Sequence, residues 1–294
     1  MIIRKPGKVA PGLDAIGNMI FPGYVLTGKQ TYMFDAGISA MGPVYYEELN
    51  KLHYKPNTLL ITHAHFDHIG GAAYLKKCIP ELKIGASPRM RDVLNRPKVL
   101  QNIEKILREY DMVYSGGKVG KDAVFGTFEI DIDLKDGMIF DLGNGITVEA
   151  IETPGHTPEC FCFYIPHIKA VISGEALGMP DEKLNILPEF LSSYDDYVNS
   201  IRKMAGLDVC MILLPHGAVL TEEHASDYIA RSIDASRIFK DKILQAIKVY
   251  NGDMDRVVEA MAEDPVAKAI GEQQGKSAFL LNLKAQIKTV AESK

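Results

Sequence analysis

The sequence predicts an α/β core over residues 1–220 and a helical C-terminal extension over residues 221–294. Two patterns lead to that division. Up to Thr221, short β-branched and aromatic runs bounded by Gly and Pro alternate with helix-like segments, whereas from Thr221 onward the pattern is almost continuously helical. A third observation concerns function: the chain's histidines and several acids gather where predicted strands give way to loops.

The first element, "GYVLTGKQTYMFDAG", places residues with strand propensity on both sides of the turn candidate at 27–30 and reads as a hairpin. "NTLLIT" is a short buried strand, "GAAYLKK" a helix begun after a glycine pair, and "LKIGAS" another strand. "MRDVLNRPKVLQNIEKILREY" is helical with an interruption at Pro97. "YSGGKVGKDAVFG", residues 114–126, has four glycines and reads as a surface connection, with a lid as the alternative. A strand-rich middle follows: "MIFDL", a turn at 143–145, "ITVEAIETPG", "CFCFYIP" and "KAVISGE". The helix "YDDYVNSIRKMAG" leads into the apolar strand "VCMILLPHG". The long helix around "ASDYIARSIDASRIFKDKILQAIKVY" carries Ile229, Ile233, Ile238, Ile243 and Ile247 close to helical rhythm, an apolar stripe expected to pack on the core, and two more helices are expected around 253–263 and 276–292.

Of 294 residues, 47% are hydrophobic, enough for a sizeable core. Thirty-three basic against 38 acidic residues, with no long run of either sign, argue against a nucleic-acid or membrane-surface protein. Lys, Arg, Pro and Gly interrupt the first residues, so no secretory peptide is expected, and no run of apolar residues is long enough to span a membrane. Four scattered cysteines do not make a disulfide framework; the expectation is a reducing, cytoplasmic setting. Cys160 and Cys162 flank Phe161 on a predicted strand and read as small buried apolar residues, while His53, His167 and His224 read as surface or capping residues. Tyr194 and Tyr197 open a helix and read as packing.

"ITHAHFDHIGG", residues 61–71, places three of the chain's eight histidines and an aspartate within six positions, directly after a predicted strand. In an extended segment, side chains two apart face the same way, so His63 and His65 can share one point while Asp67 and His68 offer a second pair after a turn. Imidazole nitrogens with carboxylates suit zinc, iron or manganese better than calcium or magnesium. His156 in "ETPGHTPE", Glu175 in "VISGEALG" and His216 in "LLPHGAV" each follow a strand and complete a plausible two-metal set.

The order "FDAG", "THAHFDH", "GHTPE", "SGE", "PHG" resembles the metallo-β-lactamase superfamily over residues 15–220. The resemblance implies a four-layer αββα sandwich with a metal centre at one edge of its sheets. It implies that His63, His65 and His156 bind one divalent metal ion, that Asp67, His68 and His216 bind a second, and that Asp35 supports them from behind. Glu175 falls at the bridging position, where the family usually has aspartate; the longer side chain leaves open an altered bridge, unequal sites, and zinc, iron or manganese as the metal.

Hydrolysis by a hydroxide held between two metals is the implied reaction, with Asp67 as ligand and proton acceptor. The helical tail is similar to those of glyoxalase II and the acyl-CoA thioesterase of quinolone-signal biosynthesis, so a small-molecule acyl thioester, or a related ester or lactone, is the expected substrate. Two other readings stand beside it: a mononuclear iron oxidoreductase similar to persulfide dioxygenases, and a binding protein with a structural metal centre whose C-terminal helices form a partner surface, a homodimer included.

Overall fold

The computed structural model describes residues 1–114 and 124–292. Two seven-stranded sheets stack face to face. The first runs Gly7–Ala10, Leu13–Gly17, Pro22–Thr27, Thr31–Phe34, Thr58–Leu60, Lys83–Ala86, Ile132–Asp133. Its first four strands are antiparallel and the rest join in parallel. The second runs Ile2–Ile3, Val219–Thr221, Met211–Leu213, Ala170–Ile172, Phe161–Ile165, Ile146–Glu152, Met138–Gly143, antiparallel except where Ala170–Ile172 meets Met211–Leu213.

Strand alternation explains the layering. Phe161, Phe163 and Ile165 point between the sheets, where they meet Phe34, Leu26 and Leu60, whereas Cys162 and Tyr164 point to the opposite face. Ala170 and Ile172 face inward and Val171 outward; Leu213 faces inward and Ile212 outward. Both faces of each sheet are therefore apolar and both need covering. Helices Met41–Lys51, Ala72–Cys78, Met90–Leu94 and Pro97–Tyr114 cover the first sheet. Tyr194–Ala205, Glu223–Val249, Met254–Ala262, Pro265–Gln273 and Lys276–Glu292 cover the second. The result is the expected four-layer αββα sandwich with a helical C-terminal region.

The hairpin forms as expected, Pro22–Thr27 pairing with Thr31–Phe34. At 143–145, Gly143, Asn144 and Gly145 have φ of 78°, 60° and 77°, the left-handed turn that this sequence permits. Pro97 opens its helix, where a missing N–H costs nothing. Residues 115–123, most of the glycine-rich stretch expected as a surface connection, lie outside the described residues.

The apolar stripe of the long helix needs correction. Its buried line runs through Ala225, Tyr228, Ile229, Ser232, Ser236, Phe239 and Ile243, while Ile238 is 46% exposed. Successive steps of three and four from Ile229 pass through Ser236 and Phe239, which leaves Ile238 on the solvent side. Small residues at 232 and 236 let the helix lie close, with Ser232 Oγ donating to Leu177 O at 2.8 Å. Among the described residues no helix is long and apolar enough to cross a membrane.

The intersheet core sets stability. Phe163 is fully buried, its ring centroid 5.4 Å from that of Phe34 on the opposite sheet. Phe163→Ala is expected to lower unfolding free energy by about 3–5 kcal/mol, read as a shift of the urea midpoint; a change within error would place the stabilising core elsewhere.

Candidate metal centre

Four chain segments leave the two sheets at one edge and converge there. His63, His65, Asp67 and His68 follow the strand Thr58–Leu60 of the first sheet. His156 follows Ile146–Glu152, Glu175 lies on the short turn Gly174–Leu177 after Ala170–Ile172, and His216 follows Met211–Leu213, all in the second sheet. Asp67 and His68 lie on the single helical turn Phe66–Ile69, entered from an extended His65. All seven residues singled out in the sequence come together. Their donor atoms form three overlapping groups, His63–His65–His156, His63–His68–Glu175 and Asp67–His68–His216, each with atoms within 4.8 Å of one another.

Glu175 joins the two ends. Its Oε1 lies 2.9 Å from His68 Nε2 and 3.2 Å from His216 Nε2, and its Oε2 lies 3.4 Å from His63 Nε2. The glutamate thus spans both clusters. His63 Nε2 and Glu175 Oε2 are fully buried with no hydrogen-bond partner. Orphaned donors and acceptors of this kind are rare in protein interiors, and here one nitrogen and one oxygen face the same small space. A divalent cation satisfies both, and a donor set of imidazoles and carboxylates is one that zinc, iron and manganese accept.

The outer nitrogens of the rings are tied down. His156 Nδ1 donates to Glu189 O at 2.7 Å, His68 Nδ1 to Asp35 Oδ2 at 2.9 Å, and His216 Nδ1 to Ile20 O. A carbonyl can only accept, so Nδ1 carries the hydrogen in His156 and His216, and Nε2 turns inward as a ligand would require. Asp35 also accepts from Thr62 N at 2.8 Å and Thr62 Oγ1 at 3.0 Å, and Thr62 Oγ1 lies 3.1 Å from His63 Nδ1. One buried aspartate therefore fixes rings in both clusters.

Burial and charge divide the histidines. Burial, reinforced by His68, holds His63 well below the ordinary imidazole value, and burial with His65 pushes His156 down to about 3. Burial also lowers His65. Against burial, Glu175 and Asp35 hold His68 well above that value, and hydrogen bonds to Asp67 and Glu175 push His216 up to about 10. Against burial too, His68 and His63 hold Glu175 well below the usual carboxylate range. Near neutral pH the first cluster is uncharged and the second is an ion-paired array.

Two glycine-dependent contacts shape the edge. A Cβ on Gly71 would sit 2.5 Å from Ala36 O, so only glycine lets the turn Phe66–Ile69 seat against the segment carrying Asp35; Ala36 N donates to His68 O at 2.8 Å and Gly71 N to Ala36 O at 3.1 Å. Gly155, with φ of 129°, brings the backbone beside His156 against Tyr197, where a Cβ would lie 2.3 Å from the tyrosine's N.

Tyr197 does more than the packing expected of it. Its hydroxyl donates to Glu175 O at 3.0 Å and accepts from Glu189 N at 3.1 Å, so one buried side chain ties the segment bearing the bridging carboxylate to the one that aligns His156. Glu189 was absent from the expected set, although an acid inside the apolar run "ILPEFL" is itself a signal. Its carboxyl is 2% exposed, and burial with the charge of Glu175 pushes it up to about 8. Cys160 and Cys162 are buried thiols outside these groups, as expected, with Cys162 donating to Ser173 O at 2.9 Å. His53, His167 and His224 are exposed.

A cleft of about 390 Å³ opens over the clusters, walled by Phe21, Phe66, Ile103, Ile106, Tyr110 and Tyr114 and continued by Gln273, Gln274, Ala278, Leu281 and Asn282 of the C-terminal region, whose Gly275 N donates to Tyr110 Oη at 2.8 Å. Tyr197→Phe keeps the ring and removes both hydroxyl contacts. It is expected to weaken divalent-metal binding about 10- to 100-fold, measured by chelator competition, with unchanged secondary structure; unaltered affinity would make Tyr197 a packing residue only.

A profile described as the metallo-beta-lactamase superfamily matches residues 19–216. A protein of Aspergillus fumigatus named atrochrysone carboxyl ACP thioesterase is 25% identical over 232 residues, 76% of this chain and 59% of that protein. Glyoxylase B2 of Dictyostelium discoideum is 29% identical over 185 residues, 62% of this chain and 52% of that protein. The chain thus spans little more than half the length of these two relatives. Among solved structures, a metallo-beta-lactamase superfamily protein of the archaeon Sulfolobus tokodaii aligns with a TM-score of 0.60 at 17% identity, covering 100% of this chain and 98% of that one, a likeness of fold. With well over half its length matched, and all seven convergent side chains inside the matched region, the chain belongs to the metallo-beta-lactamase superfamily.

Proposed function

We propose that the chain is a metal-dependent hydrolase of acyl thioesters or related esters and lactones, working with two divalent metal ions. The observation that carries this reading is the pair of orphaned atoms, His63 Nε2 and Glu175 Oε2, between two complete donor clusters at the floor of an apolar cleft. His63, His65 and His156 would hold one ion, and Asp67, His68 and His216 the other, with Glu175 reaching both. When bound, such ions supply Lewis acidity that activates water and polarises the substrate carbonyl.

The chain's own groups supply the rest. Asp67 Oδ2, 3.4 Å from His216 Nε2 and lining the cleft, is placed to take a proton from the attacking water and pass one to the leaving group. Phe21, Phe66 and Tyr110 exclude bulk water from that exchange. In a thioester the water oxygen bonds to the acyl carbon, the C–S bond breaks, and an acid and a thiol leave. The names of the two relatives, a thioesterase and a glyoxylase, support that substrate class over a phosphodiester. Residues 221–294 act in this reading as a cap, since their helices complete the cleft wall.

Asp67→Asn is expected to cut kcat by about 10²- to 10⁴-fold on any thioester or lactone the enzyme turns over, with the melting curve retained; full activity would remove Asp67 from the mechanism.

Metal uptake should be unequal in its pH response. His216 and His68, raised by their carboxylate partners, carry protons at neutral pH that a cation must displace, so affinity at their cluster rises with pH towards about 10 and falls as pH drops. His63, His65 and His156, lowered mainly by burial, are already neutral and give up none. In chelator-competition titrations at about pH 6 and about pH 8, one equivalent should be nearly pH-independent and a second should weaken roughly tenfold per unit of pH lost for each proton displaced. A single equivalent at both values would contradict the dinuclear reading.

A further inference from the structure

We infer that the group bound in the cleft is an uncharged, apolar acyl chain, selected by Ile106 and Leu281, which both line it; the inference rests on the hydrolase reading above and narrows its substrate. The helix Pro97–Tyr114 buries Ile103, Leu107 and Tyr110 against the first sheet, yet Val99 and Ile106 remain only half-buried and turn to the cleft. The helix thus carries more apolar surface than its own packing uses. On the same cleft, Leu281 of the helix Lys276–Glu292 is 59% exposed, while its neighbour Ala278 packs into the same cluster as Ile103 and Tyr110 and so joins the two helices. An open leucine and a half-covered isoleucine lining one cleft both gain burial when an apolar chain occupies it.

Charge points the same way. Beyond the donor clusters, the acids lining the cleft are Glu159 and Glu189, 5% and 2% exposed, and among the described residues no Lys or Arg lines it. Away from the donor clusters at the floor, an anionic terminus brought between these walls would lose its hydration without meeting a counter-charge among the described residues. A cleft of about 390 Å³ is of the size that encloses a small ligand rather than a protein segment. Any charged part of a larger thiol therefore stays outside the cleft, and the apolar acyl part enters.

The test uses N-acetylcysteamine thioesters of straight-chain acids of increasing length, beside length-matched analogues ending in a carboxylate. Wild-type kcat/KM should climb by up to roughly fourfold per added methylene and fall by more than about tenfold for the carboxylate-ended series. Leu281→Asp, at an exposed position that tolerates the change, and Ile106→Asp should each flatten the dependence on chain length. Binding is followed in parallel by fluorescence of neutral N-phenylnaphthylamine and its displacement by decanol, both weakened at least tenfold in Leu281→Asp. If no thioester is turned over but the dye binds, is displaced and is lost in the variants, the hydrolase reading fails and the apolar site stands. A flat length dependence, equal rates for the carboxylate-ended series, or a dye that does not bind the wild type overturns the inference while leaving hydrolysis itself intact.

Discussion

The structure is organised around a buried electrostatic debt at the edge of two sheets. Five imidazoles and two carboxylates meet there, and His63 Nε2 and Glu175 Oε2 are buried without a hydrogen-bond partner while the rings of His68, His156 and His216 beside them are held by their outer nitrogens. A cation would satisfy both atoms, and the surrounding layer holds the rings around them in place. Asp35 anchors His68 directly and His63 through Thr62, and Glu189 O fixes His156. Without those anchors, the ion pairs among His68, His216, Glu175 and Asp67 would favour rotamers that close the site on itself.

Glu175 stands on a turn bounded by two glycines with positive φ. Gly174 adopts φ of 47° and Gly178 φ of 79° on either side of the turn that carries Glu175, so the longer side chain starts from a backbone path open mainly to glycine. The two carboxylate oxygens then divide between clusters, Oε1 towards His68 and His216 and Oε2 towards His63.

Much of this was legible in the chain because it depends on local spacing. The alternation within "CFCFYIP" states which side chains face each layer, and the clustering of His63, His65, Asp67 and His68 after a short strand states that a site begins there. What stayed hidden depends on contacts between distant segments. The helix Met41–Lys51, which the sequence pattern did not single out, carries Gly and Pro in its first turn; it holds because Met41, Tyr45 and Leu49 all pack into the first sheet's outer core. Tyr197 lies 22 residues from Glu175 and 8 from Glu189, and nothing in its own neighbourhood marks a hydroxyl that serves both. The long helix was placed correctly and its stripe in all but one position: Ile229, Ile233, Ile243 and Ile247 pack on the second sheet's outer core, whereas Ile238 faces solvent and serines at 232 and 236 share the buried line.

The C-terminal helices are bound up with the metal edge more closely than a wall over a cleft requires. Gln286 Nε2 donates to Pro188 O, Thr289 Oγ1 donates to Leu191 O at 2.8 Å, and Asn282 Nδ2 lies 3.5 Å from Glu189 Oε2. These contacts bracket Glu189, whose carbonyl orients His156. The same helix thus holds the segment that aims a ligand and presents Leu281 to the cleft. Its apolar face belongs to one core with the second sheet, through Phe279, Leu283 and Ile287, so it cannot shift without moving that segment. In the proposed reading, selectivity for what enters the cleft and alignment of the donor set would therefore be linked, because one helix both lines the cleft and holds the segment whose carbonyl orients His156.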